Sequence, residues 1–261
     1  MGFLSAAHSD VGIKKSTNQD SVLIKEALTD YGGVMLAVVC DGMGGLAKGE
    51  VASAALIRAF SDWFEKIFPE ILYEERQTNG IDRMELENSL NQLVIEVNKK
   101  ISKYGESFHV AMGTTAALLL LAEDRYYILN VGDSRVYKID QEKITRLTKD
   151  QTFVQKEIDQ GNMTEEEARN HPKRNVLLQC VGASEVIIPE FSYGTYEKDE
   201  VFMICSDGFR HLISDEEFYK LMNPEQLKTE KNMQDAAVYC TELNKSRQEK
   251  DNISVILIRT C

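Results

Sequence analysis

Four aspartates sit where apolar, strand-like runs meet a glycine or an asparagine. Val38-Val39-Cys40 runs into Asp41-Gly42, Leu129-Asn130-Val131 into Gly132-Asp133, and Phe202-Met203-Ile204-Cys205-Ser206 into Asp207-Gly208. Asp251-Asn252 opens the apolar run from Ile253 to Ile258. A single Asp-Gly after a strand is ordinary turn chemistry. Carboxylates repeated on the rim of a hydrophobic sheet are different, because a charge near an apolar interior is costly unless it is paired or bound to metal. The pattern predicts a cluster of hard oxygen ligands, the kind that hold magnesium or manganese.

Other chemistries fit less well. Gly42-Met43-Gly44-Gly45-Leu46-Ala47 formally matches a dinucleotide-binding glycine fingerprint. That fingerprint wants an acidic residue closing the next strand about 20 positions on, whereas Asp62, near that distance, lies in a helical pattern. A tight turn letting backbone approach Asp41 is the better account, since glycine permits close approach. Phosphotransferases with a nucleophilic aspartate need a second Asp where this chain has Met43. The histidines His8, His109, His171 and His211 form no pair at zinc-ligand spacing on a helix. Ser134 and Ser206 flank aspartates but lie in no Gly-x-Ser-x-Gly elbow, so structural roles are expected for both.

The elements that must position the aspartates follow from periodicity. Strand-like runs lie at about 21–25, 33–40, 114–122, 125–131, 134–139, 186–196, 200–205 and 253–259, rich in Val, Ile, Tyr and Leu. The short turns around Val131 fit antiparallel meanders. A turn falls at Asp30, before the second run, and Lys14 and Lys15 point opposite ways along an extended segment. Helical patterns cover 49–68, 82–104 and 233–244, the second with Leu86, Leu90, Leu93, Val97 and Ile101 on one face. Thr164-x-x-Glu167 and Ser214-x-x-Glu217 read as capping boxes. The stretch 67–81, with Pro69, Asn79 and Gly80, reads as an interhelix loop, and polar 150–180 as a surface flap. Antiparallel sheets covered by helices, an α+β arrangement, are expected.

Composition bounds the rest. At 261 residues, 43% apolar and 28% charged, the chain can build a sizeable core. The net charge of −12 is the wrong sign for a nucleic-acid binder. Its longest apolar stretch, Ala116 to Ala122, is too short to span a bilayer, and the start lacks a secretory or myristoylation pattern. The expectation is a cytoplasmic, monomeric protein with no membrane partner. Five scattered cysteines, none in Cys-x-x-Cys spacing, predict free thiols rather than a disulfide framework.

Taken in order, Asn18-Gln19-Asp20, Asp41-Gly42-Met43-Gly44-Gly45, Gly113-Thr114-Thr115, Val131-Gly132-Asp133-Ser134-Arg135, Leu147-Thr148-Lys149-Asp150, Ser206-Asp207-Gly208 and Asp251-Asn252 resemble the metal-dependent serine/threonine protein phosphatases. These are the type-2C, or PPM, enzymes in their bacterial form. The flap text Gly161 to Ala168 and His171 to Asn175 shares the likeness, which covers Ser9 to Arg259. It implies one catalytic domain over 1–261, a four-layer α-β-β-α sandwich of two mostly antiparallel sheets flanked by helices. It implies hydrolysis of phosphoserine and phosphothreonine esters by a hydroxide bridging two Mn2+ or Mg2+ ions, on protein substrates of a partner kinase. By position, Asp41 would bridge the two ions and the Gly42 carbonyl would bind one. Asp207 and Asp251 would hold the other, and Asp20 would support the site through water. Asp133 would join Asp207 at a third, weaker ion.

Three residues depart from the family pattern. Lys15 replaces the phosphate-binding arginine, keeping the charge but losing the bidentate fork. Met43 replaces a histidine proposed as general acid in eukaryotic members, as it does in similar bacterial ones, which leaves protonation of the leaving group to water. His211 stands where an aspartate often helps the third metal. Two rival readings stay open: a metal-binding regulator that captures phosphoproteins with little turnover, and a hydrolase of small phosphate esters.

Overall fold

The computed structural model describes residues 2–29, 32–43, 48–75 and 81–261. Asp30, Gly44 to Ala47 of the glycine run, and Asn79 and Gly80 of the expected loop lie outside the described residues. Two antiparallel five-stranded sheets face one another. The first is formed by β2 (Ser21–Thr29), β3 (Gly32–Cys40), β4 (Ala116–Ala122), β5 (Arg125–Val131) and β8 (Glu190–Thr195), in the order β2-β3-β4-β5-β8. The second is formed by β1 (Phe3–Asp10), β6 (Arg135–Ile139), β7 (Ile144–Arg146), β9 (Val201–Cys205) and β10 (Ile253–Thr260), in the order β1-β10-β9-β6-β7.

Strand β3 shows why the sheets stack. Side chains alternate across a strand, so its two registers face different layers. Met35, Ala37 and Val39 point between the sheets, against a layer with Leu119, Ile128, Phe202, Ile204 and Ile256. Val34, Leu36, Val38 and Cys40 point outward to α1 (Gly49–Lys66) and α3 (Arg83–Ser107), meeting Leu56, Phe60, Leu86 and Leu90. The outer face of the second sheet is covered by α6 (Asp207–Arg210), α7 (Asp215–Met222) and α8 (Glu230–Ser246), through Phe209, Phe218, Met233 and Ala237. The result is the expected four-layer α-β-β-α sandwich. No described helix is long and apolar enough to cross a membrane.

Both expected capping boxes form, at Thr164 ahead of α5 (Glu165–Arg169) and at Ser214 ahead of α7. Other details differ from the sequence reading. The segment read as an interhelix loop begins with α2 (Phe68–Glu75), whose Pro69 sits in the first turn, where a missing N–H costs little. Phe68 seats that helix against Trp63 and Phe64, at ring distances of 5.3 and 5.6 Å. The flap holds α4 (Phe153–Asp159), capped by Thr152, as well as α5. Val186 and Ile188 stand exposed before β8, which starts only after Pro189. Gly12 to Lys14 form a turn rather than an extended segment, though Lys14 is exposed and Lys15 half-buried.

Register gathers the aspartates. Ser21 pairs with Cys40, so Asp20 and Asp41 are adjacent at one sheet end. In the other sheet Cys205 pairs with both Val255 and Arg135, which puts Asp207, Asp251 and Asp133 beyond a common end. A hydrogen bond from Gln19 N to Asn252 Oδ1, at 3.0 Å, joins the two ends.

Candidate metal centre

Asp41 is held by the Gly113-Thr114-Thr115 segment. Its N–H donates to Thr115 Oγ1 at 2.9 Å, and its carbonyl accepts from Thr115 N at 2.9 Å and Thr114 Oγ1 at 3.0 Å. With its backbone groups satisfied by protein, the Asp41 carboxylate is left to act on other partners. Thr115 Oγ1 also meets Ser134 Oγ at 2.7 Å, tying the Asp41 turn to the Asp133 turn, so Ser134 serves the scaffold. Gly42 lies against the start of α1: a Cβ there would collide with the Gln19 carbonyl and come within 2.6 Å of the Gly49 carbonyl.

The opposite wall is organised by Asn252, which is buried. Its Nδ2 donates to the carbonyls of Val11 and Thr17, at 2.9 and 3.2 Å, and so fixes the loop that carries Lys15. Lys15 Nζ reaches Asp251 Oδ1 at 2.9 Å. Burial pushes the Lys15 ammonium down, but the Asp251 hydrogen bond and the charges of Asp251, Asp41 and Asp207 outweigh it, and its pKa stands above the ordinary value.

Asp20 has its pKa pushed up to about 7, first by burial and then by the charges of Asp207 and Asp251, with Ser254 and Ser206 drawing it back. Asp41 is raised well above the ordinary carboxylate range by burial and by Asp20, Asp207, Asp133 and Asp251. The charges of Asp207 and Asp251 thus act on both Asp20 and Asp41, and Lys15 reaches into the same group of carboxylates. Both carboxylate oxygens of Asp20 and Oδ1 of Asp207 are buried without a hydrogen-bond partner of normal length. Buried acceptors are nearly always satisfied, so these three oxygens call for a cation or water. Among the described residues no group of three or more His, Cys, Asp or Glu side chains is placed to hold a metal ion as it stands. The fit therefore rests on donor chemistry: hard, anionic oxygens suit Mg2+ and Mn2+.

Asp133 differs from the others. It is buried, and Arg210 Nη2 donates to its carbonyl at 2.9 Å and lies 3.4 Å from its Oδ2. Burial and Asp207 raise its pKa to about 7, against the lowering effect of Arg210. His211 sits between Asp207 Oδ2 and Glu249 Oε2, 3.4 Å from each. Glu249 Oε1 accepts the backbone N–H groups of Lys250 and Asp251, at 2.6 and 3.0 Å, and so shapes the turn presenting Asp251. Sequence reasoning assigned no role to Arg210, Glu249 or the Asn252 side chain. The available signal for Arg210 was its place three residues after Asp207 on a short buried helix.

Comparison with known proteins agrees with this geometry. The sequence profile of the Protein phosphatase 2C family matches residues 8–246. Over 238 residues the chain is 31% identical to the serine/threonine phosphatase stp of Listeria innocua, an overlap of 88% of each. The crystal structure of serine/threonine phosphatase Stp1 from Staphylococcus aureus superposes with a TM-score of 0.84 at 27% identity, covering 100% of this chain and 96% of that one. The catalytic domain of the phosphatase PstP, solved in complex with 2 manganese ions, gives a TM-score of 0.76 at 29% identity over 98% and 97% of the two chains. The chain belongs to the protein phosphatase 2C family and is a metal-dependent serine/threonine phosphatase.

Proposed function

We propose that Asp41, the Gly42 carbonyl, Asp207 and Asp251, with Asp20 behind them, hold two Mn2+ or Mg2+ ions, and that Lys15 receives the substrate phosphate. The observation that carries this reading is the set of buried oxygens on Asp20 and Asp207 without a hydrogen-bond partner of normal length, in a cluster whose charges push the pKa of Asp20 and Asp41 up. Two such ions, when bound, supply an acidified water and Lewis-acid stabilisation of the phosphoryl oxygens. The residues do the rest. Asp41 is fixed by Thr114 and Thr115, and Asp251 by Glu249, so each presents its carboxylate from a braced turn. Lys15, carried by the Asn252-braced loop, turns its ammonium from Asp251 toward an incoming phosphate dianion. Lysine offers a point charge instead of a planar fork, so phosphate is held with less geometric selectivity than an arginine would impose.

The substrates proposed are phosphoserine and phosphothreonine proteins made by a partner kinase, handled by a monomeric, single-domain, cytoplasmic enzyme. A substrate panel tests this against the two rivals. Phosphothreonine and phosphoserine peptides should turn over far faster than nucleotides or sugar phosphates. Tight peptide binding without phosphate release would instead identify a capture protein, and preference for the small esters would identify a different hydrolase.

A further inference from the structure

Four charged side chains, buried or nearly so, meet beside the metal centre and are not part of its proposed ligand set. Arg135 grips Asp150 with both prongs, at 2.7 and 2.6 Å. Arg210 lies 3.6 Å from the same carboxylate and, on its other side, bonds the Asp133 carbonyl at 2.9 Å with Asp133 Oδ2 at 3.4 Å. The side chains of Arg210 and Asp133 are each only 9% exposed, and that of Asp150 is 11% exposed. Two guanidiniums face two carboxylates, and arginine does not give up its proton in proteins. This group therefore carries no net negative charge to attract a divalent cation. The cluster of Asp20, Asp41, Asp207 and Asp251 is the opposite case: among the described residues Lys15, on Asp251, is its one ion-paired lysine.

We infer that the Arg210 guanidinium stands where a third metal ion would have to bind at Asp133, so that this chain takes two ions and not three. The inference rests on the two-ion reading above. An ion approaching Asp133 would meet a fixed like charge beside the ligand oxygen. To remove that charge, Arg210 would have to leave both the Asp133 carbonyl and Asp150. The remaining partner of a third site would be Asp207, whose Oδ2 faces His211 instead of a second carboxylate. Asp133 thus serves as an anchor for Arg210, and the cation at this position is built into the chain.

The test is metal stoichiometry at equilibrium. The full chain, stripped with chelator, is dialysed against millimolar manganese, and bound metal per chain is counted by elemental mass spectrometry. Wild type should take up about two ions, Arg210→Lys about two, and Arg210→Ser about three, because a freed Asp133 beside Asp207 offers hard oxygens to an ion. Asp133→Asn should keep about two ions with manganese affinity changed less than about twofold, since it removes no metal ligand. Three ions in wild type would overturn the inference, as would an Arg210→Ser variant that keeps a native melt and still binds two. If Arg210→Ser fails to fold, Asp133→Asn decides: loss of an ion, or a large drop in affinity, would show that Asp133 is a ligand after all. Uptake of fewer than two ions by wild type is a separate result that overturns the metal assignment itself.

Discussion

Lys15 is asked to do two jobs, and they pull a single substitution in opposite directions. Before an ion arrives, its ammonium neutralises Asp251 at 2.9 Å; once substrate enters, it must hold phosphate. Lys15→Ala should therefore tighten manganese while weakening phosphopeptide. The side chains of the Lys15–Asp251 pair are 30% and 36% exposed, so solvent screening limits its worth to about 1 kcal/mol. Its removal should improve manganese affinity about fivefold. The lost phosphate contact is a hydrogen bond to a charged group, worth about 1.5–3 kcal/mol, which raises KM about 10- to 150-fold. With manganese saturating, kcat should change little, because the contact is present in ground and transition states alike. Calorimetric manganese titration and steady-state kinetics on one phosphothreonine peptide read both effects. Lys15→Arg should recover KM through its bidentate grip, and Lys14→Ala, at an exposed turn position, should alter neither quantity. Weaker manganese binding by Lys15→Ala, or an equal KM change in Lys14→Ala, would refute the reasoning.

Asp41→Asn removes the charge proposed to bridge the ions. Turnover should fall by more than about 100-fold, beyond the cost of losing an outer-shell partner, while circular dichroism stays native; Asp62→Asn, exposed on α1, should be silent. Asp20 has a pKa near 7 in the folded chain against an ordinary 3.8, so between these values the native state holds a proton that the unfolded chain has lost. Stability in chelator should then decline as pH rises through that window: thermal melts in chelator should fall from about pH 5 to about pH 7.5, with manganese abolishing the decline, and a rise in chelator would contradict it. Gly42→Ala should destabilise by at least about 3 kcal/mol in urea titration, since the new methyl meets backbone on both sides and neither can yield.

Much of the site was legible because its chemistry is punctuated. Asp41, Asp133, Asp207 and Asp251 each interrupt an apolar run, and the strands they bound fold as read, within a few residues. Asp20 and Lys15 carry no such mark: Asp20 follows a polar Asn-Gln pair, and resemblance alone singled them out. Arg210 was invisible for a different reason. Its partners Asp133 and Asp150 lie 77 and 60 residues away in sequence, and only the β6–β9 pairing brings them close. Strand β1 escaped notice because Ser5, Ala6, Ala7, His8 and Ser9 have little strand character, and pairing along β10 supplies what propensity does not. Helix α2 was hidden by Pro69, read as a helix breaker where its place in the first turn makes it harmless.

The central claim is that bound divalent ions, gathered by these carboxylates, carry the hydrolysis. Phosphate release from a phosphothreonine peptide, measured on one preparation with manganese, with magnesium and with excess chelator, tests it most directly. Activity should vanish in chelator and return when manganese is added back. Full turnover in excess chelator would contradict the account.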